Sequence, residues 1–123
     1  MIVIRQNKDT CSDQDWDVFL DLLAARRAEF ATLKILVVTD GGGPNMAQRK
    51  RLEGVLDGKP VRVAVVSDSI KTRFIASSLA LLNRDMSSFR ADETSQAYDH
   101  LSLTLDERRT AKATLEELAP RIR

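Results

Sequence analysis

Residues that could staple a fold or hold a metal are nearly missing from this chain of 123 residues. Cys11 is its one cysteine, so no internal disulfide and no cysteine-rich metal site can form. His100 is its one histidine, which removes most zinc, di-iron and Ser/His-triad chemistry. Aromatic residues make up 5% of the chain, and the interleaved aromatics of a platform for single-stranded nucleic acid are absent. No run approaches the roughly 20 apolar residues needed to cross a bilayer. The start, MIVIRQNKD, lacks the basic opening and long apolar core of a signal peptide. Charge of one sign is missing too: 19 basic residues face 18 acidic ones, a net charge of +1, which argues against a general nucleic-acid binder. These absences lead us to expect a cytoplasmic protein without a transmembrane segment.

What is present reads as one globular domain. The chain is 43% hydrophobic and 30% charged, and its length falls within the common domain range of about 100–150 residues. A chain of this size buries roughly two thirds of its unfolded surface, enough for a core of its own.

Residues 2–5 form a short β-branched run suited to a first strand. Ser12, with Asp15 three residues on, opens a helix whose apolar side holds Trp16, Phe19, Leu20, Leu23 and Phe30. Residues 34–40, KILVVTD, are almost continuously apolar, as in a strand covered on both faces. Gly43 and Pro44 suit the cap and first turn of a second helix, with Met46, Ala47, Val55 and Leu56 as inward candidates. VRVAVVSD, residues 61–68, repeats the buried-strand pattern, and Asp68 or Ser69 suits the cap of a third helix. Ile70, Phe74, Ile75, Leu79 and Leu82 supply that helix's expected apolar stripe. A weaker strand follows near residues 87–90, then a short helix with Ala97, Tyr98 and Leu101. A last helix starts at the Thr104/Glu107 capping pattern and carries a thin stripe of Leu105, Ala111, Leu115, Leu118 and Ile122, with Pro120 fraying its end. The order β-α-β-α-β-α-β-α-α predicts a single α/β domain with a four-stranded, mostly parallel (mixed) sheet and about five helices.

The passage from Val63 to Leu101, ending in Phe89, Glu93, Ala97 and Leu101, resembles the second half of a STAS domain, the anti-sigma-factor-antagonist-like fold. KILVVTD with the loop and helix after it resembles that family's central strand and switch region. The resemblance covers about residues 1–103, leaves residues 104–123 as an extra C-terminal helix on the domain or a partner, and extends to the bacterial STAS/Sec14-like proteins. It implies a non-catalytic regulatory module that acts through protein contacts, and a first strand that can pair antiparallel. In some members a Ser or Thr at the helix start is phosphorylated; positions 41–47 here contain no hydroxyl.

The candidate site is the loop TDGGGP after the second strand. It does not match GxxxxGK[ST], and Met46 stands where the dinucleotide fingerprint needs its third glycine. General physics still allows an anion at the helix N-terminus, held by N–H groups from Gly42 to Asn45. The candidate binding residues are Asp40, Gly41, Gly42, Gly43, Asn45 and Arg73, the last reaching in from the next helix. The competing reading is a turn whose glycines allow positive φ and tight packing. Asp40 and Asp68 both end strands, but the acidic pair of a receiver domain is missing and helix capping explains each more simply. QRKRLE, residues 48–53, spreads its cations around a helix as a solvated face, or as a surface for an acidic protein or membrane. Neither Ser77, Ser78, His100 nor Cys11 joins a nucleophile–base arrangement, and no cofactor motif appears. The expectation is a non-enzymatic interaction module, possible as a homodimer, with a sensor of small anions (nucleotide, phosphate or lipid headgroup) as the alternative.

Overall fold

The computed structural model describes residues 1–81, 83 and 85–118; Leu82, Pro120 and Ile122 lie outside the described residues. The elements are β1 (Ile2–Gln6), α1 (Asp13–Ala25), β2 (Lys34–Thr39), α2 (Met46–Leu56), β3 (Arg62–Val66), α3 (Ile70–Ala80), β4 (Met86–Phe89), α4 (Thr94–His100) and α5 (Leu105–Leu118). The fold is α/β, as its alternating strand and helix patterns predict.

The four strands lie in the order β1-β2-β3-β4, and every pair is parallel. That includes β1, where Ile2 pairs with Ile35 and Gln6 with Thr39. The antiparallel pairing implied by the resemblance is not adopted. The 13 residues of α1 bridge β1 and β2, the kind of long crossover that a parallel return requires. Each crossover steps to the next strand in the same direction. With right-handed connections, α1, α2 and α3 therefore share one face of the sheet.

Side-chain alternation along the strands sorts two cores. On the first face Ile35, Val63 and Val65 pack with Leu23 of α1, Leu56 of α2 and Ala76 of α3. On the second, Leu36, Ala64 and Val66 pack with Ala97, Leu101 and Leu103 around α4 and with Ala111 of α5. Burial on both faces explains why β2 and β3 read as unbroken apolar runs. The last helix thus rests on its own domain. The Lys34 Nζ donates to Glu107 Oε1 at 2.9 Å, and the Arg108 guanidinium meets Asp99 at 2.7 Å.

Two helices turn differently from the sequence-based expectation. In α2 the inward side is set by Gln48 and Leu56, while Met46 and Ala47 are exposed. In α3 Thr72 and Ala76 are buried, whereas Ile70 and Phe74 are exposed. The expected Leu56 of α2 is buried, and Ile75 and Leu79 of α3 line the space above the sheet.

Candidate functional site

The glycine loop is held from beneath by a buried threonine. Thr39 Oγ1 donates to the Gly42 carbonyl at 2.7 Å and accepts from the Gly41 N–H at 3.2 Å. Gly41 sits at φ 135°, a conformation that favours glycine. Gly42 is buried, and its N–H donates to the Asn7 carbonyl at 2.8 Å. A Cβ placed there would lie 2.1 Å from the Asp9 carbonyl oxygen.

Helix α2 begins at Asn45, not at the Gly43–Pro44 step. Asn45 Oδ1 accepts from the Gln48 N–H at 2.8 Å, while Gln48 Oε1 accepts from the Asn45 N–H at 2.9 Å. An anion cradle over residues 42–45 would need N–H groups free to face a ligand. Those of Gly42 and Asn45 are engaged within the chain, and Pro44 has none. Gly43 alone is left, which makes the loop a braced turn rather than a nest of donors.

Nor do Asp40 and Asp68 cap the helices that follow them. Asp40 is exposed and faces Arg5 at 3.4 Å, and Asp68 accepts from the Ala91 N–H at 3.0 Å. Ser69 caps α3 instead, accepting from the Thr72 N–H at 3.2 Å. Gly41 does lie near this cap, since a Cβ on it would be 3.7 Å from Ser69 Oγ. The loop and the start of α3 are therefore neighbours. Arg73 is half-buried, and its Nε is buried without a hydrogen-bond partner.

Sequence reasoning missed Gln48, which ties the loop to α1. Its Nε2 donates to the Cys11 carbonyl at 2.8 Å and to Asp13 Oδ1 at 2.9 Å, and its own carbonyl accepts from Trp16 Nε1 at 2.9 Å. Cys11 beside it is a poor nucleophile. Burial first, and Asp15 next, push its thiol pKa up, with Gln6 opposing them. His100 closes α4 with its Nε2 2.8 Å from the Asp85 carbonyl, and the Ser77 and Ser78 hydroxyls donate back to the Arg73 and Phe74 carbonyls. Among the described residues, no group of three His, Cys, Asp or Glu side chains is placed to hold a metal ion. None of their helices is long and apolar enough to cross a membrane.

Two features remain as candidate sites. One is a cavity of about 660 Å³ between the sheet and α1, α2 and α3, walled by Ile4, Val37, Phe19, Leu52 and Ile75. The glycine loop forms part of its rim. One lining residue, Thr72, has a buried hydroxyl, Oγ1, without a partner among the described residues. The strand order has no reversal, so this cavity does not arise from the crevice that a change of strand direction opens in other parallel sheets.

The other is the outer face of α3. Ile70 is 78% exposed, Phe74 72% and Leu81, at the helix's C-terminal cap, 88%. At 100° per residue these three lie within about 40° of each other and opposite the buried Thr72 and Ala76. Lys71 and Arg73 flank the row, one on each side, and α3 contains no acidic residue.

Compared with family models, curated proteins and solved structures, the chain has no match.

Proposed function

We propose that the protein is a non-catalytic, STAS-like regulatory module that acts through protein contacts, with the outer face of α3 as its contact surface. One observation carries this reading: a row of three large apolar side chains, Ile70, Phe74 and Leu81, stands exposed on one helix between two cations. Scattered exposed apolar residues are ordinary, but three large ones aligned along one side of a helix, with a polar rim, mark an interaction site. The test compares the intact protein with Phe74→Ser as bait for proteins of the native cell. Specific retention by the first and its loss in the second is the expected result. Equal retention by both, or none by either, removes α3 as a contact surface for other proteins of the cell.

A second reading is favoured by the cavity. A small amphipathic ligand would place its apolar part among Ile4, Val37 and Phe19 and its polar end near Thr72. Ligand sites of this kind are mostly apolar with a few placed polar groups. The glycine loop then acts as part of the rim. A thermal-shift series with nucleotides, inorganic phosphate and phospholipids tests it: stabilisation by an amphipathic lipid that Val37→Trp abolishes supports the cavity, and no shift with any of them rejects it.

A further inference from the structure

We propose that the outer face of the α1–α2–α3 layer binds a second copy of this chain, as a closed two-fold dimer in which α3 of each protomer lies on α1 of the other. The inference rests on reading α3 as a contact surface and names what covers it.

Helix α1 complements α3 in charge. It carries four aspartates, Asp13, Asp15, Asp17 and Asp21, and no cation, whereas α3 carries Lys71 and Arg73 and no acid. Both helices also have an apolar row on the side away from the sheet. On α1 it comprises Val18, 65% exposed, and Leu22, 41% exposed, with Ala25 one turn on. Opposite it lie the buried Trp16, Leu20 and Leu23. The two rows belong to the same face of the molecule, because α1, α2 and α3 all cover one side of the sheet.

A two-fold axis running along α2 turns that face onto itself. It brings α1 over the partner's α3 and, by the same operation, α3 over the partner's α1, with the facing helices parallel. Residue by residue, such an interface is self-complementary. Helical geometry then fixes the flanks. Asp17 and Asp21 fall on the side where the other helix presents Lys71, and Asp15 on the side where it presents Arg73. Asp21 then faces Lys71 and Asp15 faces Arg73, while Asp17 already pairs with Arg51 of its own chain. On the axis α2 turns Ala47 and Gly54 outward together with Met46, 73% exposed, and Lys50, which meets its own copy there.

Pairing α3 with α3 would instead set Lys71 and Arg73 against their own copies, and like charges across an interface disfavour it. The α1–α3 arrangement sets Lys50 of α2 against its copy but pairs Asp21 with Lys71 and Asp15 with Arg73, so its charge complementarity is the greater.

Light scattering on the full chain, over a range of concentrations, gives the mass directly. The expected limit is twice the 13.8 kDa chain mass. Asp21→Lys and Lys71→Glu, both at exposed positions, should each weaken association by roughly tenfold or more, since each sets like charges face to face. Mixed in equal amounts, the two variants should restore the dimer. In the mixed pair one contact joins the introduced lysine to the introduced glutamate, and the other keeps the native Asp21 and Lys71. Unchanged melting temperatures of the separate variants confirm that their folds are intact.

A wild-type protein that stays monomeric overturns the inference, as does mass that grows past two copies. A dimer lost in Phe74→Glu yet indifferent to Asp21→Lys also overturns it, because α3 would then be covered by something other than α1. These outcomes are separate from the fate of the interaction-module reading: a monomer that still retains cellular proteins through Phe74 keeps that reading and loses the dimer.

Discussion

The Gln48 side-chain amide reaches back 37 residues to donate to the Cys11 carbonyl at 2.8 Å. With Asp13 and Asn45 it completes a buried polar junction between the loop before α1 and the start of α2. Removing it leaves the Cys11 carbonyl and the Asn45 N–H without their partners. Gln48→Ala should lower stability by about 2 kcal/mol, read as a lower urea midpoint with an unchanged slope. A loss below about 0.5 kcal/mol would mean that water replaces the junction at no cost.

Three glycines should answer the same substitution differently. Gly42→Ala puts a methyl group 2.1 Å from the Asp9 carbonyl, so the loop must move, and a destabilisation of about 2 kcal/mol or more is expected. Gly43→Ala meets nothing within 4 Å and should be nearly neutral. Gly54→Ala, in the interior of α2 with open space around it, should stabilise by about 0.5–1 kcal/mol. Thermal melts of the three variants rank them.

Glu107 should leave a signature in acid. The Thr104 N–H first, then the Lys34 ammonium, hold its carboxyl down to about 2 from 4.5. A carboxyl whose folded pKa is depressed stabilises the fold fully above its unfolded value. That contribution is lost as pH falls from about 4.5 towards 2. Glu107→Gln should therefore melt below wild type at about pH 6, with the gap closing in acid. A gap independent of pH would assign the difference to packing.

The Cys11 thiol should be slow towards disulfide reagents. Burial and Asp15 raise its pKa, so little thiolate exists near neutrality. At about pH 8 the folded protein should react several-fold more slowly than the chain in denaturant, and Asp15→Asn should speed the folded reaction. Equal rates would show that the loop opens freely.

Strands were the most legible part of this fold. β2 and β3 are apolar at successive positions because both of their faces are covered, and that pattern needs no knowledge of the neighbours. The capping pairs Ser12/Asp15 and Thr104/Glu107 are local as well, and both form as their spacing predicts. Helix orientation was less legible. A scale of hydrophobicity puts Ile70 and Phe74 inward beside Ile75 and Leu79, but the helix is turned so that Thr72 and Ala76 are buried and Ile70 and Phe74 exposed. The same holds for Gln48, whose partners Cys11, Asp13 and Trp16 come from a distant stretch of chain. The glycine loop was legible as a turn, whereas the engagement of its N–H groups depends on Asn7, which the local pattern does not reveal.

Helix α5, last in the chain, lies against β1, first in the chain, where Val3 borders the cluster that holds Ala111 and Leu115. During synthesis each strand emerges next to one already made, so the sheet can grow in step with the ribosome. Its second face has no such schedule. Around Leu36 it is covered by Ala97, Leu101 and Leu103, whereas its β1 border at Val3 waits for α5, the most distant helix along the described residues.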